Sequence, residues 1–416
     1  MDKLIKWLEN SFAPKLQKIT NLTWIVVIKD SMMQLLPFIL AGSIFCVGTI
    51  LNDYIPALPS FWTPFGWTMS KIGLMASFLI PFNYCEKKRF RKQRILAGFT
   101  GMMLFMICID PQSAEEMGQG HSLYGANGMF VAIFTGIIVG LVFGAFAKFS
   151  FFKEDSVIPD FVRQWFDSLL PIMLLIAGGW LIVQVAGVDV AGAVQAVFMP
   201  LQSALTSPVG FVFFCFLKCF IYSMGISTWV LTPVDEPVKL AVIAANLELV
   251  AAGVATYQNL GNFTETFMFC TYLWIGGVGC TLSLCLLMMF ICKSSELKAL
   301  GRACVVPGIF NINEPIIFGA IAWNPLLMLP MWLQGIILPI VTYIFTKVIP
   351  FAPIPRIQFD LWYCPYPIST FIATQGSITG VIFAILTFVL SAVIWFPFVK
   401  AYDDQKVKEE TAAIKA

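Results

Sequence analysis

Charge is what this chain has least of. Only 12% of its 416 residues are Asp, Glu, Lys or Arg, where a soluble domain carries about 25%. So few charges cannot clothe a soluble surface. With 58% hydrophobic residues, most of the chain is expected to be solvated by lipid. The net charge of +2 is too small for a nucleic-acid binder. Histidine is nearly missing: the single His121, in Gly120-His121-Ser122, has no second His or Cys beside it. The 11 Cys form no CxxC pair and are scattered through apolar segments, as Cys215, Cys219, Cys280 and Cys285 are. They read as small buried hydrophobes, neither a metal cluster nor a disulfide framework. There is no P-loop, no Gly-x-Ser-x-Gly elbow and no metalloprotease helix, so no metal and no cofactor are expected. No small-residue cleavage site closes a short apolar core near the start. Residues 1–23 instead mix Lys3, Lys6, Lys15 and Lys18 with Leu, Ile, Trp and Phe, the pattern of a segment lying along a membrane surface.

What is there is apolar length. Runs occur near 24–51, 66–83, 95–109, 128–150, 169–187, 209–226, 267–292, 326–349 and 378–399, and a spanning helix needs about 20 apolar residues. Stretches at 227–260, 303–325 and 354–375 are interrupted by Pro, Gly and charge. They read as re-entrant or discontinuous elements. The loop Glu86-Lys87-Lys88-Arg89-Phe90-Arg91-Lys92-Gln93-Arg94 is the most basic in the chain, whereas 110–127 has no Lys or Arg. By the positive-inside rule the N-terminus and the basic loop are cytoplasmic, and so is the mixed-charge tail after Lys400. The best internal boundary is 151–168. It divides an N-terminal scaffold bundle (24–155) from a C-terminal bundle (156–400) holding a site, with a tail at 401–416.

The chemistry concentrates in a few polar constellations. In Pro307-Gly308-Ile309-Phe310-Asn311-Ile312-Asn313-Glu314-Pro315 one carboxylate stands in an apolar, Pro-flanked stretch. A carboxylate at membrane depth is costly and marks a site by default, and interrupted helices are where transporters build such sites. Asn donates and accepts hydrogen bonds, so Asn311, Asn313 and Glu314 together suit a polyol. Ser227, Thr228, Trp229, Asp235 and Glu236 form a second set broken by Gly225, Pro233 and Pro237. The alternative for Asp235 and Glu236 is a water-exposed hairpin tip near Lys239. Asn246 and Glu248 lie two apart and do not share a helix face. Gly276-Gly277-Val278-Gly279 reads as close helix packing inside a span. Trp362, in Asp360-Leu361-Trp362-Tyr363, suits either a sugar-stacking wall or an interfacial aromatic belt.

The stretch Val306-Pro307-Gly308-Ile309-Phe310-Asn311-Ile312-Asn313-Glu314-Pro315-Ile316-Ile317-Phe318-Gly319, then Asn324-Pro325, closely resembles the signature of the membrane (IIC) component of bacterial phosphotransferase-system sugar transporters, lactose/cellobiose family. Weaker likeness runs from residue 17 to 390, through Ile28-Lys29-Asp30, Leu36-Pro37-Phe38, Ala245-Asn246-Leu247-Glu248 and Gly276–Leu282. The resemblance implies an all-α polytopic membrane protein, a homodimer of about ten spanning helices with re-entrant hairpins, whose N-terminal part also dimerises. It also implies a β-linked disaccharide, such as cellobiose, chitobiose or lactose, phosphorylated by a separate IIB protein. IIB carries a phosphocysteine charged by IIA. Glu314 matches the carboxylate that holds the hydroxyl to be phosphorylated, the expected catalytic group. Asn311, Asn313, Ser227, Trp229, Asn246 and Trp362 are the expected sugar contacts. The chain departs from the family where His usually follows Gly-Ile: Gly225-Ile226 leads to Ser227, with Thr228 in place of Gly. Tyr363-Cys364-Pro365-Tyr366-Pro367 and Gly376-Ser377-Ile378 also differ. Two other readings compete: an ion-coupled secondary sugar transporter using Asp235, Glu236 and Glu314, and a sugar sensor that no longer transports.

Overall fold

The computed structural model describes residues 15, 18, 21–55, 57–110, 122–147, 149–152 and 159–415. Most of the amphipathic 1–23 segment, His121 and boundary residues 153–158 lie outside them. Among the described residues every regular element is helical. Lipid offers the backbone no hydrogen bonds, so an apolar run satisfies its amides internally or not at all.

The first group comprises α1 (Thr23–Tyr54), the short α2 (Trp62–Thr68), α3 (Ile72–Lys87), α4 (Arg94–Ile109), α5 (Met129–Phe146) and α6 (Asp160–Trp180). α3 is its axis, packed on α1, α4 and α5. Between apolar helices in lipid there is little hydrophobic drive, so small residues that admit close approach carry the packing. Gly101 sits on the Ser77 carbonyl, and Gly136 on Ile80 and Pro81, with no room for a Cβ.

The second group begins with α7 (Val190–Thr206) and α8 (Pro208–Ser223), which meet at 80°. The sequence reading left 190–206 without an element. The signal was there: Asp189 caps α7 by accepting from the Gly192 N–H at 2.7 Å, and the Ser207-Pro208 pair turns the chain. Then come α9 (Thr232–Ala251), α10 (Thr281–Phe290), α11 (Ser295–Ile309), the single turn α12 (Glu314–Ile316), α13 (Pro325–Tyr343), the short α14 (Ile368–Ala373) and α15 (Ile378–Lys415). α8 packs along α13, α13 along α15, and α10 on α11 and α15. α9 reaches back to α1 and α5, joining the two groups.

By length and apolarity alone, four described helices are able to cross a membrane, five if the bent pair α7–α8 is one span. That is fewer than the expected ten. One reason is that α3 and α4 are 16 residues each, short of the ~20 a span takes. A second is that the predicted span at 267–292 does not form. Gly276, Gly277 and Gly279 adopt φ of 86°, 93° and 89°, a region closed to a right-handed helix. These glycines make a turn, not a helix-packing stripe. The chain there passes through a π-turn (Thr266–Thr271) and a loop before α10 starts at Thr281. The expected tail is also more than a tail: α15 continues as helix through Lys415.

Candidate sugar-binding pocket

The pocket grows from three breaks in the helices. α8 ends at Ser223, and Gly225 turns the chain at φ 72°. Ser227 then caps a 3-10 turn (Thr228–Leu231), its hydroxyl accepting from the Trp229 N–H at 3.4 Å. α9 starts at once. Pro233 falls in its first turn, where a missing N–H costs nothing, so this proline opens a helix instead of breaking one. Thr232, Asp235, Glu236 and Lys239 follow at helical spacing and line one face of the cavity. The second break follows α11. Asn311, at φ 61°, ends that helix in the left-handed region. Asn313 and Glu314 follow, with Glu314 opening α12. The third is the glycine turn, which brings Gly277 and Val278 to the same wall.

The cavity measures about 100 Å³ and is also bordered by Trp229, Phe269 and Trp362. Its inner wall is ionic. The Lys218 ammonium, from α8, lies 2.7 Å from an Asp235 carboxylate oxygen and 4.8 Å from the Phe269 ring centre. Lys239 lies 2.9 Å from Glu236 and 3.8 Å from Asp235, and pairs closely with Glu265. Lys218, Asp235, Glu236 and Lys239 are all buried. Two ammonium groups thus face three carboxylates. Removing charges from water is expensive unless each is paired, and here the pairing is nearly complete. Two atoms stand out: Asp235 Oδ1 and Trp362 Nε1 are buried without a hydrogen-bond partner. One is an acceptor and the other a donor, and both belong to residues of the cavity wall. Asp235 and Glu236 are therefore part of an interior helix face, and the hairpin-tip alternative falls.

Glu314 lies at the mouth. Its side chain is exposed there, with the Tyr222 side chain beside it in the same lining. Among the described residues no ion pair to a cation holds it. Trp229 and Trp362 line the cavity, as expected of stacking walls.

Three of the expected contacts are engaged with the backbone. The Asn311 amide is spent on backbone: its Oδ1 accepts from the Gly276 N–H at 2.9 Å, and its Nδ2 donates to the carbonyls of Trp362 at 2.6 Å and Cys364 at 3.0 Å. Asn313 donates to the Val278 carbonyl at 2.9 Å. Both border the cavity, but they clasp its loops together. Asn246 lies elsewhere. It exchanges two hydrogen bonds with the Gly261 backbone, at 2.9 and 2.7 Å, and does not line the cavity. Ser227 sits one residue outside the lining and is exposed.

The sequence reading missed Lys218, Tyr222 and Glu265. Lys218 had a usable signal, a lone ammonium in the apolar run 209–226. Glu265 comes from a distant loop, and nothing local announces its partner.

A family model described as "Phosphotransferase system, EIIC" matches residues 29–335. The lactose-specific EIICB component of Staphylococcus epidermidis is 28% identical, over 99% of this chain and 72% of that protein. The cellobiose-specific EIIC component of Geobacillus stearothermophilus is 28% identical, over 99% and 97%. Among solved structures, the transporter ChbC, the IIC component of an N,N'-diacetylchitobiose-specific phosphotransferase system, is similar at a TM-score of 0.87. It is 26% identical, with 97% of this chain and 99% of that one covered.

Proposed function

The chain belongs to the phosphotransferase system EIIC family, and from that premise we propose that it is the permease for a β-linked disaccharide of the cellobiose, chitobiose or lactose kind. A component of this system works with IIA and IIB proteins and a sugar. The relatives are named for lactose, cellobiose and diacetylchitobiose, which supports the β-linked class. The observation that carries the reading is Glu314: a carboxylate that no cation pairs with among the described residues, in the lining of a largely buried polar cavity.

In this reading the sugar enters with the reacting ring toward Glu314. The carboxylate accepts a hydrogen bond from the hydroxyl to be phosphorylated and takes its proton as the phosphorus–oxygen bond forms. The phosphoryl group comes from the IIB phosphocysteine, whose thiolate leaves. Ser227 stands where the family has His, and a hydroxyl at that place donates readily but takes up a proton poorly. That leaves Glu314 as the base. Trp229 and Trp362 wall the ring, while Asp235 Oδ1 and Trp362 Nε1 offer one acceptor and one donor to its hydroxyls. Asn311 and Asn313 keep the loops in register. Positioning and exclusion of water supply much of such a rate gain. The charged product does not recross lipid. At about 100 Å³ the cavity falls short of the 300–1,000 Å³ typical of ligand sites, so the loops part to admit a disaccharide.

We further read the functional form as a homodimer in the bacterial inner membrane with both termini cytoplasmic. Residues 24–155 serve as the dimerising part and 156–400 as the transporting part. The test is uptake of a disaccharide panel by vesicles carrying the protein. Accumulation of sugar phosphate that requires phosphoenolpyruvate, IIA and IIB is expected. The ionic wall of Lys218, Asp235, Glu236, Lys239 and Glu265 is also what an ion-coupled carrier needs. Gradient-driven uptake without IIA and IIB would favour that second reading.

A further inference from the structure

A second cavity, of about 550 Å³, lies far along the chain from the sugar pocket, between the basic loop 87–93 and the segment that joins α5 to α6. Arg89, Arg91, Lys92, Arg163 and Asp167 line it, and Arg91 is also paired with Glu86 at 3.0 Å. Its walls are pinned. The Gln164 amide donates to the Lys92 carbonyl, and the Phe151 N–H donates to Asp167 at 2.9 Å. Gln93, also in the lining, is 8% exposed, and its Oε1 is buried with no partner.

Position decides what such a cavity meets. It sits where α4 begins at Arg94, α5 ends at Phe146 and α6 begins at Asp160. The helices of α5 and α6 are two of those long and apolar enough to cross a bilayer. The cavity therefore lies at headgroup depth. Phe149 is in its lining, and exposed aromatics adjoin the lining residues: Phe149, Phe151, Trp165 and Phe166 are 40–62% exposed. Phe149 stacks edge-on against Phe151 at 5.0 Å, and Phe166 against the lining Phe152 at 5.4 Å. Aromatic belts sit at that level, and basic pockets between spanning helices take anionic headgroups.

We propose that this cavity binds the headgroup of an anionic phosphoglycerol lipid, with the acyl chains lying on the aromatic rim. The cations take the phosphate, and Gln93 Oε1 accepts from a glycerol hydroxyl. A zwitterionic headgroup brings its own ammonium, which suits a mainly basic lining less well. A protein partner would find a concave cleft at the lipid boundary, so lipid is the better fit.

The test is native mass spectrometry of the full-length protein with equal phosphatidylglycerol and phosphatidylethanolamine. Wild type retains phosphatidylglycerol at least tenfold better. Arg89→Gln with Lys92→Gln lowers that preference roughly tenfold or more, since each interfacial cation contributes about fivefold. Lys298→Gln with Arg302→Gln, on α11, leaves it unchanged. A photoactivatable phosphatidylglycerol marks peptides 89–93 and 149–152 of wild type, an arm that needs no variant. Equal retention of both lipids by wild type, or marking elsewhere, overturns the proposal. Displacement by millimolar glycerol 3-phosphate assigns the site to a free anion and overturns the lipid. Lost transfer from IIB with unchanged lipid preference assigns it to a docking protein.

Discussion

Among the described residues no cation pairs with Glu314, whereas Asp235, Glu236 and Glu265 each lie against a lysine. That contrast separates two jobs. Lys218 with Asp235, and Lys239 with Glu236 and Glu265, hold α8, α9 and the 265 loop around the cavity. Lys218→Met strands the buried Asp235 and should destabilise the protein by about 3–5 kcal/mol. Adding Asp235→Leu should restore much of the melting temperature, since a matched apolar pair is often tolerated. Sugar binding should stay lost, because Asp235 Oδ1 is gone. Thermal melting in detergent and a binding titration read the two effects separately. At this scale the sequence was partly legible. Glu314, Trp229 and Trp362, which line the cavity, stand out in the sequence because a charge or an aromatic between prolines is conspicuous. Lys218 was passed over, and the backbone clasp made by Asn311 was not foreseen. Its three backbone partners come from residues 35 to 53 positions away, and no local pattern encodes them.

Elements matter here chiefly through their ends. α11, which delivers Asn311 and Glu314, has its own N-terminus capped by α15. Asp403 accepts from the Lys293 and Ser294 N–H groups at 2.8–2.9 Å, and Glu410 from those of Ser295 and Glu296. Carboxylates suit the orphan donors and positive end of a helix. Asp403→Ala should cost about 1–2 kcal/mol and speed hydrogen exchange at residues 293–297 while leaving α8 and α13 unchanged. Uniform faster exchange would mean that the clasp is not local. α8 and α13 touch where a Cβ on Gly335 would lie 2.8 Å from the Phe216 Cα. Gly335→Val should force the two helices apart and sharply lower the yield of folded protein in membranes. Helices of long apolar period were legible from the sequence. The glycine turn at 276–279 was not, because three apolar-flanked glycines look alike in a packed helix and in a left-handed turn until φ is known.

On the scale of the whole molecule, large apolar side chains face outward. Val209 is 80% exposed, Phe290 71% and Ile378 64%, which is normal in lipid and untenable in water. Only 22% of the spanning window of α6 and 28% of that of α15 are buried within the chain. Lipid, or the second protomer of the proposed dimer, covers the rest. Cross-linking in membranes through single cysteines on the outer face of the 24–155 helices should trap dimers, and the same on α15 should not. The reverse pattern would move the dimer contact to the other group. The proposed function converges on one carboxylate, Glu314, as the group that receives the sugar hydroxyl. The most direct measurement is the phosphoenolpyruvate-dependent rate of sugar phosphate formation by the reconstituted protein with IIA and IIB. The account predicts that Glu314→Gln lowers that rate by about 100-fold or more, with the protein inserted and folded, while Asn246→Asp stays far closer to wild type. A Glu314→Gln protein that phosphorylates sugar at the wild-type rate would contradict it.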